Sequence, residues 1–117
     1  LCRYGGEEFT LLLLGSSGER ALRVAEEMRQ AVAKVELTAP GGGVPLTLSA
    51  GVAAFPELHV KAASELLLLA DAALYRAKDA GRNRCLLDLG GGRYRAGDGE
   101  LLTPVERRMA PLPQLFA

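Results

Sequence analysis

The sequence predicts an α+β sandwich in which helices cover a mostly antiparallel sheet. Three observations predict it. Two extended apolar runs flank the double glycine Gly5-Gly6, two later stretches carry helical periodicity, and the elements follow the order strand, strand, helix, strand, helix, strand. At 117 residues the chain allows one compact domain. Hydrophobic residues make up 49% and charged residues 24%, which is ordinary for a globular domain and too apolar for a disordered one. Aromatics are only 5% with no Trp, so the core must rest on Leu, Val and Ala.

Leu1–Tyr4 reads as the end of a strand, and Gly5-Gly6 as the bend into a second strand, Phe9–Leu14. Glycine tolerates the positive φ of tight turns, so the pair reads as a β-hairpin. The second strand is apolar on both alternations, which predicts a central strand covered on both faces. Gly15–Gly18 is a loop with N-cap candidates. From Glu19 to about Leu37 a helix is predicted, because Ala21, Ala25, Met28, Val32 and Val35 form one apolar stripe. Ala39–Pro45, with three glycines and two prolines, is a turn that ends it. Leu46–Phe55 alternates as a strand, and Gly51 within it predicts close approach of a neighbouring backbone or helix.

Ser64 is the predicted cap of a second helix that Gly81 stops in the left-handed conformation. Its buried face is Leu66, Leu67, Ala70, Ala73, Leu74 and Ala77, and its other side carries Asp71, Tyr75, Lys78 and Arg82. Tyr75 is expected to pack between helix and sheet. Asn83–Leu87 follows as a short edge strand. Composition shifts at Asp88, and the stretch beyond it is rich in Gly and Pro, with room for a hairpin (Arg93–Arg95 with Glu100–Leu102) and one helical turn near Val105–Met109.

Several function classes are excluded early. Lys+Arg and Asp+Glu are 14 each, so net charge gives no basis for non-specific binding to nucleic acid or an acidic membrane. No apolar run approaches the roughly 20 residues of a membrane helix. Cys2 and Cys85 lack CxxC spacing and read as reduced, buried thiols of a cytoplasmic protein. No P-loop motif occurs, Ser49 has no His partner for a triad, and the lone His59 has no second ligand near it.

Two places could carry chemistry. At Arg3-Tyr4-Gly5-Gly6-Glu7-Glu8-Phe9, two carboxylates stand on a bend where the glycines leave the main chain uncovered. Hard oxygen ligands at an exposed turn suit Mg²⁺, which takes one or two carboxylates and completes its shell with water and phosphate oxygens. A solvated acidic turn is the alternative. The second place is the basic end of the last helix, Arg76, Lys78, Arg82 and Arg84. These residues either cap the helix dipole or clamp an anion, Arg by its fork and Lys as a point charge.

Taken together with two further segments, these residues resemble a known family. Arg3–Phe9 resembles the signature of the GGDEF family, the bacterial diguanylate cyclases, in its Glu variant. Leu48-Ser49-Ala50-Gly51-Val52-Ala53 resembles the family's S-x-G-V-A strand, Leu69–Lys78 its A-D-x-A-L-Y-x-A-K helix, and Ala80-Gly81-Arg82-Asn83-Arg84 its G-R-N ending. Four blocks in family order cover residues 3–84.

The resemblance implies a palm-like fold related to class III nucleotide cyclases and condensation of two GTP molecules into cyclic di-GMP. It implies that Glu7 ligands Mg²⁺ (or Mn²⁺) and helps deprotonate the attacking hydroxyl, with Glu8 as the supporting acid. Gly5 and Gly6 would let GTP lie on the hairpin, and Lys78 and Arg82 would hold the terminal phosphates. Because each domain holds one GTP, two domains would face each other in a transient homodimer. In the family, a strand with a metal-binding Asp, a guanine-reading segment and an inhibitory R-x-x-D site lie upstream of the hairpin. The chain begins two residues before Arg3. The expectation is therefore an N-terminally truncated domain over 1–88, a tail over 89–117, an upstream sensor domain in the parent protein, and little cyclase activity in this piece alone. The competing reading is a non-catalytic module that binds GTP, cyclic di-GMP or a protein partner. The intact Gly5, Gly6, Glu7, Glu8, Lys78 and Arg82 favour catalysis. Leu68 and Leu69, often charged in the family, predict a more buried helix in preference to a partner surface.

Overall fold

A computed structural model describes residues 1–3, 5–39 and 41–104. The elements in chain order are β1 (Cys2–Arg3), β2 (Phe9–Thr10), α1 (Gly18–Ala33), β3 (Glu36–Ala39), β4 (Gly42–Pro45), β5 (Ala50–Val52), α2 (Ala63–Asp79), β6 (Cys85–Gly90), β7 (Arg93–Ala96) and β8 (Leu101–Leu102). The class is α+β. β1 pairs with β2 and β3 with β4 as separate antiparallel ribbons, and the main sheet has the order β5-β6-β7-β8. Within it β5 and β6 are parallel, because α2 crosses over between them, and the other two pairs are antiparallel.

The sheet is packed on both sides. Along β6, Cys85 and Leu87 cluster with Leu22 of α1, whereas the intervening Leu86 clusters with Ala77 of α2, Ala96 and Leu102. Successive strand residues point to opposite faces, so α1 covers one face and α2 the other. This run, Cys85–Asp88, is buried throughout. The expectation of an edge strand at Asn83–Leu87 is thus overturned: β6 lies inside the sheet, flanked by β5 and β7. It also runs across Asp88, and the Arg93–Ala96/Leu101–Leu102 hairpin extends the same sheet. The predicted helical turn at Val105–Met109 lies outside the described residues.

Gly51 has the close approach predicted for it. A Cβ there would overlap the backbone of Ala70, Ala73 and Leu74, so α2 lies directly on β5. Its neighbours Ala50 and Val52 point the other way, toward the Leu22 cluster. The strand itself is shorter than predicted, Ala50–Val52 rather than Leu46–Phe55.

Both helices depart from expectation at their ends. Ser17 caps α1, its hydroxyl accepting from Arg20 N–H at 3.2 Å. The helix stops at Ala33 rather than Leu37, because 36–39 pairs with 42–45, and Gly41 and Gly42 turn at φ 99° and 126°. The segment predicted as a turn is therefore half of a hairpin. The buried line of α1 is Gly18 and Leu22 with Ala25 beside them, and Met28 is exposed, so the helix is rotated from the predicted stripe.

In α2 the N-cap is Ala62, and Ser64 lies inside the first turn. The Glu65 carboxylate accepts from Lys61 N–H instead. Ala73 and Ala77 are fully buried as predicted, but Leu68 is 68% and Tyr75 71% exposed. A more buried helix and a packed Tyr75 are both overturned: the sheet takes only the alanine side of α2, which turns Leu68 and Tyr75 to solvent. Past the helix, Gly81 stands at φ 117°, Gly81 N–H donates to the Lys78 carbonyl and Arg82 N–H to that of Ala77. That is the left-handed stop the glycine predicted.

The second strand departs most. Only Phe9–Thr10 is extended, and Phe9, Leu12 and Leu14 are exposed. Among the described residues β2 pairs with β1 alone, so it is neither central nor covered.

Candidate active site at the glycine hairpin

The hairpin is built by Arg3↔Phe9 and Cys2↔Thr10 pairing, with Gly5 N–H donating to the Glu8 carbonyl at 3.2 Å. The Arg3 guanidinium donates to the carbonyls of both Gly5 (3.1 Å) and Gly6 (2.7 Å). Gly6 does not use the positive φ invoked for the bend. What the glycines provide is space: nothing lies within 4 Å of where either Cβ would be. Gly5, Gly6, Glu7 and Glu8 line a shallow open depression.

Lys78, in the last turn of α2, reaches this hairpin. Its Nζ lies 3.2 Å from Glu8 Oε1, and both side chains are about one-third exposed (34% each). The acid-bearing bend and the basic helix end, read separately in the sequence, therefore meet through Glu8. Glu7 is exposed and takes part in no ion pair among the described residues. Arg82 does not share the face of α2 with Lys78 as predicted. It lies beyond the helix at φ 62°, exposed, and its side chain has no hydrogen bond or ion pair among the described residues.

No group of three or more His, Cys, Asp or Glu side chains comes together among the described residues. A closed protein cage for a cation is not what they form. One exposed carboxylate beside an open main chain, with a second carboxylate next to it, fits a hard cation that shares its shell with phosphate oxygens and water. The residues present fit Mg²⁺ on those terms.

Some contacts of this region have no signal in the sequence. Asn83, also at positive φ (50°), donates its N–H to Ser49 Oγ at 3.0 Å and accepts from Arg29 Nη1 at 3.0 Å. Arg29 in turn grips Glu26 with Nε and Nη2. Arg29 and Asn83 are 54 positions apart, and no spacing rule links them. Arg3 could have been found from its place two residues before the glycine pair.

A family profile described as diguanylate cyclase, GGDEF domain, matches residues 1–84. The chain is 38% identical over 85 residues to diguanylate cyclase A of Treponema denticola, covering 73% of this chain and 23% of that protein. It is 43% identical over 86 residues to diguanylate cyclase DosC of Escherichia coli K12, covering 70% and 18%. Over 83 residues it is 40% identical to the uncharacterized protein YhcK of Bacillus subtilis, covering 70% and 23%. The chain thus spans about a fifth of the length of these relatives. With its signature hairpin, the S-x-G-V-A strand over α2 and the G-R-N turn all in place, the chain belongs to the GGDEF family of diguanylate cyclase domains.

Proposed function

We propose that the protein carrying this chain condenses two GTP molecules into cyclic di-GMP, with this chain supplying the hairpin and the phosphate-facing helix end. The observation that supports it best is the Glu8–Lys78 contact, which joins the signature acids to a cation of the matched helix. In this reading the Gly5-Gly6 backbone, free of Cβ atoms, receives the nucleotide. Lys78 and Arg82 neutralise the β- and γ-phosphates, Lys as a point charge and Arg by its fork. Glu7 would hold Mg²⁺ (or Mn²⁺) with Glu8 as the supporting acid, and the ion when bound would offset the negative charge of the triphosphate. Glu7 also receives the proton of the attacking 3′-hydroxyl. The 3′-oxygen of each GTP in turn bonds to the α-phosphorus of the other, so that two phosphodiester bonds form and two pyrophosphates leave. Two such domains, one GTP each, face each other transiently, and a sensor domain elsewhere in the parent protein sets how often they meet. The free thiols Cys2 and Cys85 suit a cytoplasmic setting. No described helix is long and apolar enough to cross a membrane.

This chain alone turns over little GTP in this reading. Its described residues bring an open depression, two acids and Lys78 to the hairpin, whereas positioning supplies most of the catalysis in phosphoryl transfer. The test is chromatography of the intact protein and of the 117-residue chain after incubation with GTP and Mg²⁺. The intact protein yields cyclic di-GMP, and Glu7→Gln abolishes it while leaving the circular dichroism spectrum unchanged. Unchanged turnover in Glu7→Gln removes its role. Substantial product from the chain alone contradicts the second statement.

A further inference from the structure

The turn that carries Arg82 is held in an uncommon conformation by groups from three other places in the fold. Arg82 and Asn83 stand consecutively at φ 62° and 50°, which non-glycine residues seldom adopt. Such conformations persist where the surroundings over-determine them. Here three hydrogen bonds do so: Arg82 N–H to the Ala77 carbonyl, Asn83 N–H to Ser49 Oγ, and Arg29 Nη1 to Asn83 Oδ1, each 3.0 Å. The Arg29 guanidinium is itself fixed, its Nε and Nη2 forming a two-point pair with the Glu26 carboxylate. Glu26 occupies space that Gly97 leaves open, since a Cβ on Gly97 would collide with its carboxylate. Gly97 is pinned to the sheet by its N–H bond to the Cys85 carbonyl at 3.0 Å. The chain of contacts therefore runs from the β7–β8 turn, past the stretch matched by the family profile, through α1 to the Gly81-Arg82-Asn83 turn.

This network fixes the backbone of Arg82 and leaves its side chain exposed and unengaged. We propose that Arg29 is a positioning residue for Arg82: gripped by Glu26, it holds Asn83 and so sets the direction in which the Arg82 guanidinium leaves the chain toward the nucleotide's phosphates. This rests on the reading of Arg82 as a phosphate contact. The geometry gives Arg29 three of its five donors to spend on two partners, which the single ammonium of Lys cannot reproduce.

The experiment measures steady-state kinetics of the intact protein, with inorganic triphosphate and guanosine as competing ligands. Arg82→Ala raises the KM for GTP and the inhibition constant for triphosphate by roughly tenfold, the loss of one charged hydrogen-bonding contact. Arg29→Ala gives a similar rise for triphosphate, leaves inhibition by guanosine unchanged, and adds nothing to Arg82→Ala in the double variant. Gly97→Ala, which displaces only the flexible end of Glu26, gives a smaller rise in the same ligand. If Arg82→Ala changes nothing, or the intact protein makes no product, the reading of Arg82 fails and the relay with it. If Arg82→Ala weakens triphosphate but Arg29→Ala adds independently to it, or weakens guanosine equally, the relay alone is overturned.

Discussion

Lys78 Nζ and Glu8 Oε1 stand 3.2 Å apart, although 70 positions separate them in the chain. The contact joins α2 to the tip of a hairpin that, among the described residues, pairs with no other strand. Because both side chains are about one-third exposed, it is worth only about 0–1 kcal/mol to folding. Its weight lies in placing a cation against the acids at a bend whose glycines leave the main chain open.

Gly51→Ala is expected to destabilise the fold severely, by about 3 kcal/mol or more, although the same change costs little at an ordinary strand position. The added methyl would overlap the α2 backbone at Ala70, Ala73 and Leu74, which cannot move as a side-chain end can. Urea denaturation followed by circular dichroism checks this. A midpoint equal to wild type contradicts the close packing of α2 on β5.

The two thiols should differ sharply. Cys2 is exposed, against the expectation that both thiols are buried, whereas Cys85 is fully buried, and burial, helped by the neighbouring Glu26 carboxylate, pushes the Cys85 thiol up to about 12. Titration with a chromogenic disulfide at pH 8 should count one rapidly reacting thiol in the native chain and two after denaturation. In the unfolded chain Cys85 ionises near 9.0, so folding stability should fall as pH rises from about 9 toward 12. Cys85→Ala should flatten that slope.

Acid acts through the other end of the same cluster. The bond from Arg29 holds the Glu26 carboxyl below its ordinary 4.5. Its contribution to stability is present above that pH and is lost as pH falls through the lower folded value. Glu26→Gln should remove this part of the acid dependence, read as the urea midpoint between pH 6 and 3. An unchanged acid slope in Glu26→Gln contradicts the strength of the pairing with Arg29.

The elements most legible in the sequence were those fixed by local chemistry. The Gly81 stop and the Gly51 contact each follow from a position that only glycine suits, one for its positive φ and the other for lack of room for a Cβ, and the bend was legible at Gly5-Gly6 although Gly6 does not use the positive φ expected of it. Long-range pairing was less legible. The hairpin of Arg93–Arg95 with Glu100–Leu102 was legible, but the continuation of β6 past Asp88 that joins it to the main sheet lies in Gly-rich sequence whose glycines make turns between strands, Gly90, Gly91 and Gly92 all standing at positive φ. The early end of α1 depends on pairing of 36–39 with 42–45, which outweighs a helical stripe that reads through Val35. At the site, the acids and Lys78 could be named from type and order. The Arg29–Asn83 bond could not, because it depends on how α1 lies against the turn after α2.

The central claim is that the hairpin acids and Lys78 act on one triphosphate. A double-mutant cycle on Mg²⁺-dependent GTP affinity of the intact protein, using Glu7→Gln, Lys78→Ala and both together, tests it most directly. Each single change should weaken binding roughly tenfold or more, and the double variant should lose clearly less than the product of the two. Losses that multiply fully would mean that Glu7 and Lys78 serve separate sites, and would contradict the account.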